Sequence, residues 1–531
     1  MDETLAGNGQ EDVIAFLSNP ASYGPGIDRV DVFDTHISKI FLAGDRAFKL
    51  KRAVTYPYLD FSIKEQRHRA CKAELALNRR TAPELYLEVR RISRAEDGTI
   101  GWGDRGAILD WVVVMRRFDQ RLLFDSLATN GLLHPPLMQQ LVDHIVDFHA
   151  QAEPRFDRGG AAAIAEIERS NIDCLHRAGA AYFEPDQIAA LHARSLEILQ
   201  NVAGLLDTRR AAGRVRRCHG DLHLRNICVF QDKPMLFDCL EFSDELATID
   251  ILYDFAFLLM DLEHRGLSDL ANAAANRYLD LTDDDEGLAA LPLFLSVRAA
   301  IRAHVTAAAV NHDGLPSDLA NQIAEARSYF DNARTVLNPQ PCSLIAIGGL
   351  SGSGKSTIAR KLAPLLGTRP GARILRSDVI RKRLHGVMPE MPLPNTAYGS
   401  DTSRRVYDSL CAKATVALEA GYTVIIDSVA LREEERRSFL AVATKARVPF
   451  LGIWLEVSAQ VMALRLRSRR NDASDATPEV LQQQLRHDPG PIDWLRIDAG
   501  QDQERSFDEV RRAIGSASAI LGGFGGPRAK G

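Results

Sequence analysis

Two stretches of the chain carry residue types at spacings that suit phosphoryl transfer. The first is His219-Gly220-Asp221-Leu222-His223-Leu224-Arg225-Asn226, followed by Asp238. Phosphoryl transfer needs a carboxylate to orient the attacking hydroxyl, ligands for Mg²⁺, and a cation near the phosphate oxygens. We interpret Asp221 as the catalytic base, and Asn226 and Asp238 as the Mg²⁺ ligands.

The second stretch is Gly349-Leu350-Ser351-Gly352-Ser353-Gly354-Lys355-Ser356-Thr357. An apolar strand pattern precedes it and a helix pattern begins at Lys355, which is the context that a Walker A phosphate-binding loop requires. Its backbone N–H groups and the helix N-terminus are expected to surround the phosphates of ATP. We expect Lys355 to contact the β and γ oxygens during catalysis, and Ser356 to hold Mg²⁺.

Charged residues follow two other predicted strands in this half of the chain. Asp378 follows the strand 373–376, and Arg381 lies one helical turn later. We interpret the pair as a base and a substrate-binding arginine, with a simple helix N-cap role for Asp378 as the alternative. Asp427 ends the apolar strand 423–427, as a Walker B aspartate does, and is expected to reach Mg²⁺ through water.

Two arginines further along share one helix face. Arg465 and Arg469 are four residues apart, and Arg470 is adjacent. This spacing places the first two side by side on a helix. We interpret them as a lid over the phosphates of ATP, and a solvated basic helix face is the alternative.

The first stretch needs a cation, and the pattern upstream supplies candidates. A β-meander is predicted over 30–52, with strand patterns over 30–42 and 47–51 around a turn at 43–45, and a helix is predicted over 63–80. Side chains alternate along a strand, so Lys49 and Lys51 lie on one face. Lys49 is expected to hold the phosphates, oriented by Glu74 from the helix, and Lys51 is the alternative for that role.

The motif HGDxxxxN, with its hairpin and aspartate, has the spacing of a protein-kinase catalytic loop. It resembles the aminoglycoside phosphotransferase and choline kinase superfamily, over about residues 30–335. The resemblance implies phosphorylation of small-molecule hydroxyls and a structural role for Asp254 beneath the catalytic loop. An aminoglycoside site should be rich in acidic residues, but the run Asp283-Asp284-Asp285-Glu286 is expected to be a solvated loop.

The second half, about residues 342–515, is similar to the gluconate kinase, zeta-toxin and polynucleotide 5′-kinase group. The order of the two halves resembles a bacterial family of bifunctional kinase fusions with an AAA-type ATP-binding domain. The resemblance implies ATP and Mg²⁺ as cofactors in both halves.

The predicted fold is an α+β, protein-kinase-like two-lobed domain followed by an α/β three-layer P-loop NTPase domain with a parallel sheet. Alternating strand and helix patterns after residue 342 favour the second assignment. The expected boundaries are 1–338 for the kinase-like domain (N-lobe about 25–117, C-lobe about 118–336), 339–341 for a proline linker, 342–515 for the P-loop domain, and 516–531 for a flexible tail.

Composition and charge narrow the binding partners and the compartment expected for this chain. Its 531 residues have a formal net charge of −5, which gives no sign of a general nucleic-acid or membrane surface. The seven cysteines contain no CxxC pair, so neither a disulfide framework nor a zinc site is predicted. The first residues lack the pattern of a signal peptide. A cytoplasmic protein without a membrane partner is expected, and the oligomeric state is unknown.

The leading hypothesis is a bifunctional enzyme in which both halves transfer the γ-phosphoryl group of ATP to small-molecule hydroxyls. One alternative makes the P-loop half a nucleic-acid 5′-hydroxyl kinase, which the acidic net charge disfavours. Another makes that half a nucleotide-sensing regulator of the first. The pattern does not identify either acceptor, because pocket shape decides specificity.

Overall fold

The computed structural model describes residues 10–35, 37–56, 59–104, 106–309, 316–468, 472–500 and 502–521. The chain forms two compact units. The first contains Met1–Ile167, Leu206–Asp261 and Val305–Ile323, and the second contains Glu168–Leu205, Leu262–His304 and Ala324–Gly531. The boundary expected at 339–341 stays a prediction.

A six-stranded antiparallel sheet forms the amino-terminal part of the first unit. The strands of this region are β1 (Val30–Asp34), β2 (Ser38–Ala43), β3 (Arg46–Lys51), β4 (Thr55–Tyr56), β5 (Leu59–Asp60), β6 (Tyr86–Arg94), β7 (Ile100–Trp102) and β8 (Ala107–Arg116). The sheet has the order β1-β2-β3-β8-β6-β7, and β4 pairs only with β5. The strand pattern predicted over 30–42 contains β1 and β2, which pair with each other and with β3 form the predicted antiparallel meander.

The alternation along β3 separates an apolar face from a charged one. Phe48 and Leu50 are buried in a cluster that also contains Val13 and Leu17 of α1 (Glu11–Ser18). The charged face carries Lys49 and Lys51, and both bond to Glu74 of α2 (Lys64–Asn78). The two-residue period of a strand thus places both lysines beside one carboxylate.

Short strands and helices follow in the first unit and continue into the second. The helices are α3 (Phe124–Thr129), α4 (Pro135–Gln151), α5 (Gly160–Ala178), α6 (Pro185–Ala211), α7 (Asp244–Ala247) and α8 (Ile251–His264). The strands are β9 (Val215–Arg217), β10 (Ile227–Phe230), β11 (Lys233–Leu236) and β12 (Thr248–Asp250). The hairpin β10–β11 and the antiparallel pair β9–β12 flank the HGDxxxxN loop in sequence.

A five-stranded parallel sheet forms the core of the second unit. Its strands are β13 (Leu344–Gly348), β14 (Arg373–Arg376), β15 (Val424–Asp427), β16 (Phe450–Glu456) and β17 (Leu495–Asp498), in the order β14-β15-β13-β16-β17. All five residues of β13 are buried, as expected for a central parallel strand covered on both faces. The predicted fold class is confirmed.

Ten helices among the described residues belong wholly or partly to this unit and follow α8 in the chain. They are α9 (Ser268–Thr282), α10 (Leu291–Ala308), α11 (Pro316–Thr335), α12 (Lys355–Leu362), α13 (Ser377–Leu384), α14 (Ser400–Glu419), α15 (Glu433–Ala446), α16 (Ala459–Ser468), α17 (Pro478–Leu485) and α18 (Gln503–Leu521). In the part of the chain that the structure describes, no helix is both long and apolar enough to cross a bilayer.

The expectation of a solvated loop at residues 283–286 is wrong for its two central residues, whereas Asp283 and Glu286 are exposed. Asp284 and Asp285 are only 3% and 4% exposed, and Asp285 bonds to the buried Arg373. The run of acidic residues suggested solvent exposure, because charged side chains are rarely buried without partners. Here the cations that pair with Asp285 are Arg373 and Lys413, which lie 88 and 128 residues away in the sequence.

Candidate active sites

Two buried aspartates of α8 hydrogen-bond to the backbone of the HGDxxxxN loop in the first unit. Asp254 of α8 accepts hydrogen bonds from the backbone N–H groups of His219 (3.2 Å) and Gly220 (2.8 Å). It also lies 3.1 Å from Nε2 of His149. Asp261, two helical turns further on, accepts the N–H of Leu224 at 3.0 Å. The loop backbone is therefore anchored to helix α8 at both its start and its middle.

Asp221 and Asn226 lie together at the end of this loop. The amide Nδ2 of Asn226 donates to the carboxylate Oδ2 of Asp221 at 2.8 Å, and Nε2 of His223 lies 3.3 Å from the same oxygen. The side chain of Asp221 is 39% exposed, whereas Asn226 and His223 are buried. This arrangement orients a carboxylate towards solvent, where a hydroxyl group could approach it.

The hairpin β10–β11 brings Asp238 close to this loop in space. The backbone N–H of Phe237 donates to the carbonyl of Asn226 at 3.0 Å, so Asp238 emerges beside Asn226 at the open end of the hairpin. Asp238 has a φ of +62°, and its N–H donates to the hydroxyl of Tyr86. Few residues other than glycine adopt this conformation, and aspartate is among those that do.

Both candidate lysines belong to one buried ion network. Lys49 lies 2.9 Å from Oε1 of Glu74 and also contacts Asp238. Lys51 lies 2.5 Å from Oε2 of Glu74 and contacts Glu241. Lys49 is thus the lysine that contacts the predicted metal ligand Asp238, whereas Lys51 is completely buried.

Burial and charge act in opposite directions on this network. Burial alone would lower the pKa of Lys49, but the carboxylates of Asp238 and Glu74 outweigh it and raise that pKa well above its usual value. Burial would raise the pKa of Glu74, and the two ammonium groups instead lower it to about 2. The pKa of Glu241 is raised, with burial as the main cause. The network therefore holds Glu74 ionised.

The phosphate-binding loop of the second unit runs from β13 into α12. Lys355 donates to the carbonyls of Gly349 (2.8 Å) and Leu350 (3.0 Å). Gly352 has a φ of +87°, and a Cβ atom there would lie 2.8 Å from the carbonyl oxygen of Met462. A glycine is required at this position because backbone from α16 approaches the loop directly.

Ser356 and Asp427 meet at the end of the central strands. The hydroxyl of Ser356 donates to Oδ2 of Asp427 at 2.6 Å. Arg376, at the end of the edge strand β14, donates to the same carboxylate oxygen from Nε at 3.2 Å. Its Nη2 lies 3.2 Å from the Ser356 hydroxyl and 2.9 Å from Oδ1 of Asp472. These carboxylates raise the pKa of Arg376 despite its burial, so the guanidinium stays charged.

Asp378 lies in the first turn of α13, while the N-cap residue of that helix is Arg376. The alternative that Asp378 is the N-cap residue therefore does not describe the structure. Burial raises the pKa of Asp378, the neighbouring carboxylate of Asp427 adds to the shift, and Arg376, Ser474 and Lys355 oppose it. A half-buried carboxylate with a raised pKa suits proton uptake from a hydroxyl.

Arg381 is buried against the segment that covers α13. Its Nη1 donates to the carbonyl of Ala397 at 3.0 Å, and its guanidinium lies 4.8 Å from the centre of the Tyr398 ring. The hydroxyl of Tyr398 donates to Asp475 at 2.6 Å, and Asp475 also pairs with Lys382. Arg381 therefore contacts a loop in this structure, and its role towards a substrate stays a prediction.

Arg465 reaches the phosphate-binding loop from α16. It donates to the carbonyls of Ser353 (3.4 Å) and Ala499 (3.0 Å). A cavity of about 240 Å³ lies at this place, and its lining includes Gly354, Thr357 and Arg465. Arg469 and Arg470 lie outside the described residues.

Several residues of these sites carried no role in the sequence interpretation. They are Arg376, Asp472, Glu241 and His223. All four lie in or near the motifs described above, but only the fold shows what they contact. The one sequence signal was Arg376, a charged residue that ends the apolar strand Ile374-Leu375 directly before Asp378. Buried ion pairs between distant segments leave no periodic pattern in a sequence.

Comparison with known proteins finds a family match in each half of the chain. The phosphotransferase enzyme family model matches residues 66–291, and an AAA domain model matches residues 344–489. The two matches follow the order that the sequence predicted, a phosphotransferase-like region and then a P-loop region. The first half is thus similar to a phosphotransferase enzyme family, and the second half is similar to an AAA domain family.

Relatives with the same full-length arrangement occur in mycobacteria. The "Uncharacterized protein Rv2004c" of Mycobacterium tuberculosis is 30% identical over 491 residues, which cover 91% of this chain and 94% of the relative. The "Uncharacterized protein Mb2027c" of Mycobacterium bovis matches with the same figures. The chain belongs to one family with these proteins.

Solved structures match each half separately. A gluconokinase from Sinorhizobium meliloti 1021 is 22% identical with a TM-score of 0.26, and the match covers 35% of this chain and 97% of that one. A choline/ethanolamine kinase family protein from Mesorhizobium loti is 12% identical with a TM-score of 0.36, and the match covers 62% of this chain and 98% of that one.

Proposed function

We propose that the chain is a bifunctional, ATP-dependent phosphotransferase whose two sites act on hydroxyl groups of small molecules. The observation that carries the proposal is shared by both sites. Each has a carboxylate able to accept a proton next to oxygen ligands of the kind that Mg²⁺ prefers. In the first unit these are Asp221 beside Asn226, and in the second Asp378 beside Asp427 and Ser356.

The same chemistry describes both sites. The hydroxyl oxygen of the acceptor forms a bond to the γ-phosphorus of ATP, while the bond from that phosphorus to the β–γ bridging oxygen breaks and ADP leaves. The hydroxyl proton passes to Asp221 or Asp378. Lys49 in one unit and Lys355 in the other would stabilise negative charge on the phosphate oxygens.

The donor sets fit a magnesium ion. Asn226 and Asp238 emerge from opposite strands at the open end of one hairpin, and Ser356 and Asp427 are already within hydrogen-bond distance. When bound, Mg²⁺ neutralises charge on the phosphates. We assign Asn226 and Asp238 to it in the first unit, and Ser356 and Asp427 in the second.

Transfer of labelled γ-phosphate from ATP into a bacterial metabolite extract tests the proposal with full-length protein. Asp221→Asn should abolish one set of labelled products, and Lys355→Ala another. Asp232→Asn and Lys445→Ala are matched controls, because both residues are exposed and lie outside the sites. Both controls should label as wild type does.

Other outcomes decide between the alternatives. A product lost in both variants would mean that the sites act in sequence or that one regulates the other. Labelling of a 5′-hydroxyl oligonucleotide, lost in Lys355→Ala, would replace the small-molecule acceptor of the second site by a nucleic acid. No transfer at all, with ATP binding intact, would contradict the proposal and favour nucleotide sensing.

A further inference from the structure

A buried arginine of the P-loop sheet is surrounded by acidic and amide side chains from α9 and the turn that follows it. Arg373 begins the edge strand β14, and its side chain is 2% exposed. Its guanidinium donates to Asp285 Oδ1 (2.6 Å), Asp280 Oδ1 (2.7 Å) and Asn276 Oδ1 (3.1 Å). All these residues belong to the second compact unit, although residues up to 291 match the phosphotransferase family model.

Helix α9 also bonds directly to the backbone of the edge strand. Oδ1 of Asn276 accepts the N–H of Ile374 at 2.7 Å, and Nδ2 of Asn272 donates to the carbonyl of Ala372 at 3.0 Å. An edge strand has backbone groups that no neighbouring strand satisfies. Here two asparagine side chains satisfy backbone groups that a sixth strand would otherwise pair with, and these bonds hold the first half of β14.

The helix after β14 is attached to the same region. Nη1 of Arg383, near the end of α13, donates to the carbonyl of Asp280 at 3.0 Å, and its Nε lies 3.1 Å from Asp283. From α14, Lys413 pairs with Asp285 at 2.6 Å. The strand and the helix that carry Arg376 and Asp378 are therefore held at both ends by one acidic segment.

The strand held in this way also carries residues of the P-loop site. Arg376 is three residues after Arg373 in the same strand, and it contacts Asp427 and Ser356. A strand rises by about 3.3 Å per residue, so Arg376 lies about 10 Å along β14 from Arg373, and Asp378 follows in the first turn of α13.

We propose that Asn276, Asp280 and Asp285 are positioning residues of the P-loop site, acting through Arg373 on Arg376 and Asp378. The inference rests on the proposed function of that site. The phosphotransferase-like part of the chain then supplies a structural component of the P-loop kinase. The P-loop site therefore depends on that part, which gives a physical reason for the two halves to be joined in one chain.

The test uses full-length protein in which Asp221→Asn silences the first site. Asp285→Asn is compared with Asp269→Asn, an exposed aspartate in the first turn of α9, the helix that Asp285 follows. Hydrogen exchange of the backbone amides of residues 373–376 measures how stably strand β14 is held. The rate of ATP hydrolysis, with water as the acceptor, gives kcat and the KM for ATP. The phosphate-binding loop follows the central strand β13 and Ala499 follows the opposite edge strand β17, so β15 lies between β14 and the strand that carries the loop.

We expect Asp285→Asn to accelerate exchange of these amides and to lower kcat about tenfold, with KM for ATP within about twofold of the control; a tenfold change corresponds to about 1.4 kcal/mol. Arg383→Gln is the milder second variant, because that side chain is one-third exposed. It should lower kcat with faster exchange in α13, while β14 stays protected.

Three results would overturn the inference. Unchanged exchange in β14 would show that Asp285 does not fix the strand. Faster exchange with an unchanged kcat would show that the position of the strand does not affect catalysis. A fall in kcat together with a large rise in KM and a lower unfolding temperature would show a general structural role. If the parent shows no turnover and labels no acceptor, the proposed function fails, and the exchange data alone still decide whether α9 fixes β14.

Discussion

The guanidinium of Arg376 and the carboxylate of Asp427 are joined by a hydrogen bond of 3.2 Å, at the oxygen that also accepts the Ser356 hydroxyl. The two residues end neighbouring parallel strands, where Arg376 stands opposite Asp427 in register. A cation of the protein thus contacts the two side chains that we assign to Mg²⁺.

Removal of Arg376 should therefore strengthen metal binding in the nucleotide-free protein. In Arg376→Gln the competing positive charge is gone, and we expect Mn²⁺, used as a paramagnetic substitute for Mg²⁺, to bind about tenfold more tightly, or about 1.4 kcal/mol. Titration followed by electron paramagnetic resonance measures this. Arg437→Gln is the control, because that side chain is 76% exposed. Equal affinity in both variants would contradict the assignment of Ser356 and Asp427.

Lys49 and Lys51 should have different roles although both contact Glu74. Lys49→Met leaves Glu74 paired with Lys51, so we expect phosphoryl transfer at the first site to be lost with little change in stability. Lys51→Met leaves the buried Glu241 without its ammonium partner, and should lower the unfolding free energy by about 3–5 kcal/mol. Denaturant unfolding and labelled transfer separate the two effects. Loss of transfer only in Lys51→Met, with a stable fold, would assign the phosphates to Lys51.

Glu74 should make the first unit sensitive to acid. Its folded pKa of about 2 lies below the usual value of 4.5, so its ionisation stabilises the fold above about pH 4.5, and this contribution is lost as the pH falls towards 2. A difference of about 2.5 pH units corresponds to about 3 kcal/mol. The unfolding free energies of wild type and Glu74→Gln should therefore converge over this range. A difference that stays constant with pH would show that Glu74 is not the titrating group.

Gly352 should not tolerate a side chain. In Gly352→Ala the new methyl group would lie 2.8 Å from the Met462 carbonyl, at a φ that alanine rarely adopts. We expect ATP affinity at the second site to fall by at least about tenfold, or about 1.4 kcal/mol. Gly515→Ala is the control, since that glycine lies in a helix with open space around it, and the substitution should stabilise the protein by about 0.5–1 kcal/mol. Equilibrium binding of a fluorescent ATP analogue distinguishes the two variants.

The sequence by itself determined the two motif loops and the class of fold. The strand-to-helix switch around Gly349–Ser356 and the alternation of Phe48 and Leu50 with Lys49 and Lys51 are local patterns. Local patterns survive in the sequence because strand and helix periods act over a few residues. For the same reason the lysine face of β3 could be predicted, but the choice between its two lysines could not.

Only the tertiary structure decided which charges meet. Arg373 pairs with Asp285 across 88 residues, and Lys49 with Asp238 across 189. Nothing in a run such as 283–286 distinguishes a solvated loop from a buried acidic cluster, because the distinction depends on cations supplied by distant segments. Burial without those cations would be too costly, so the packing of α9 against β14 gives these carboxylates their role.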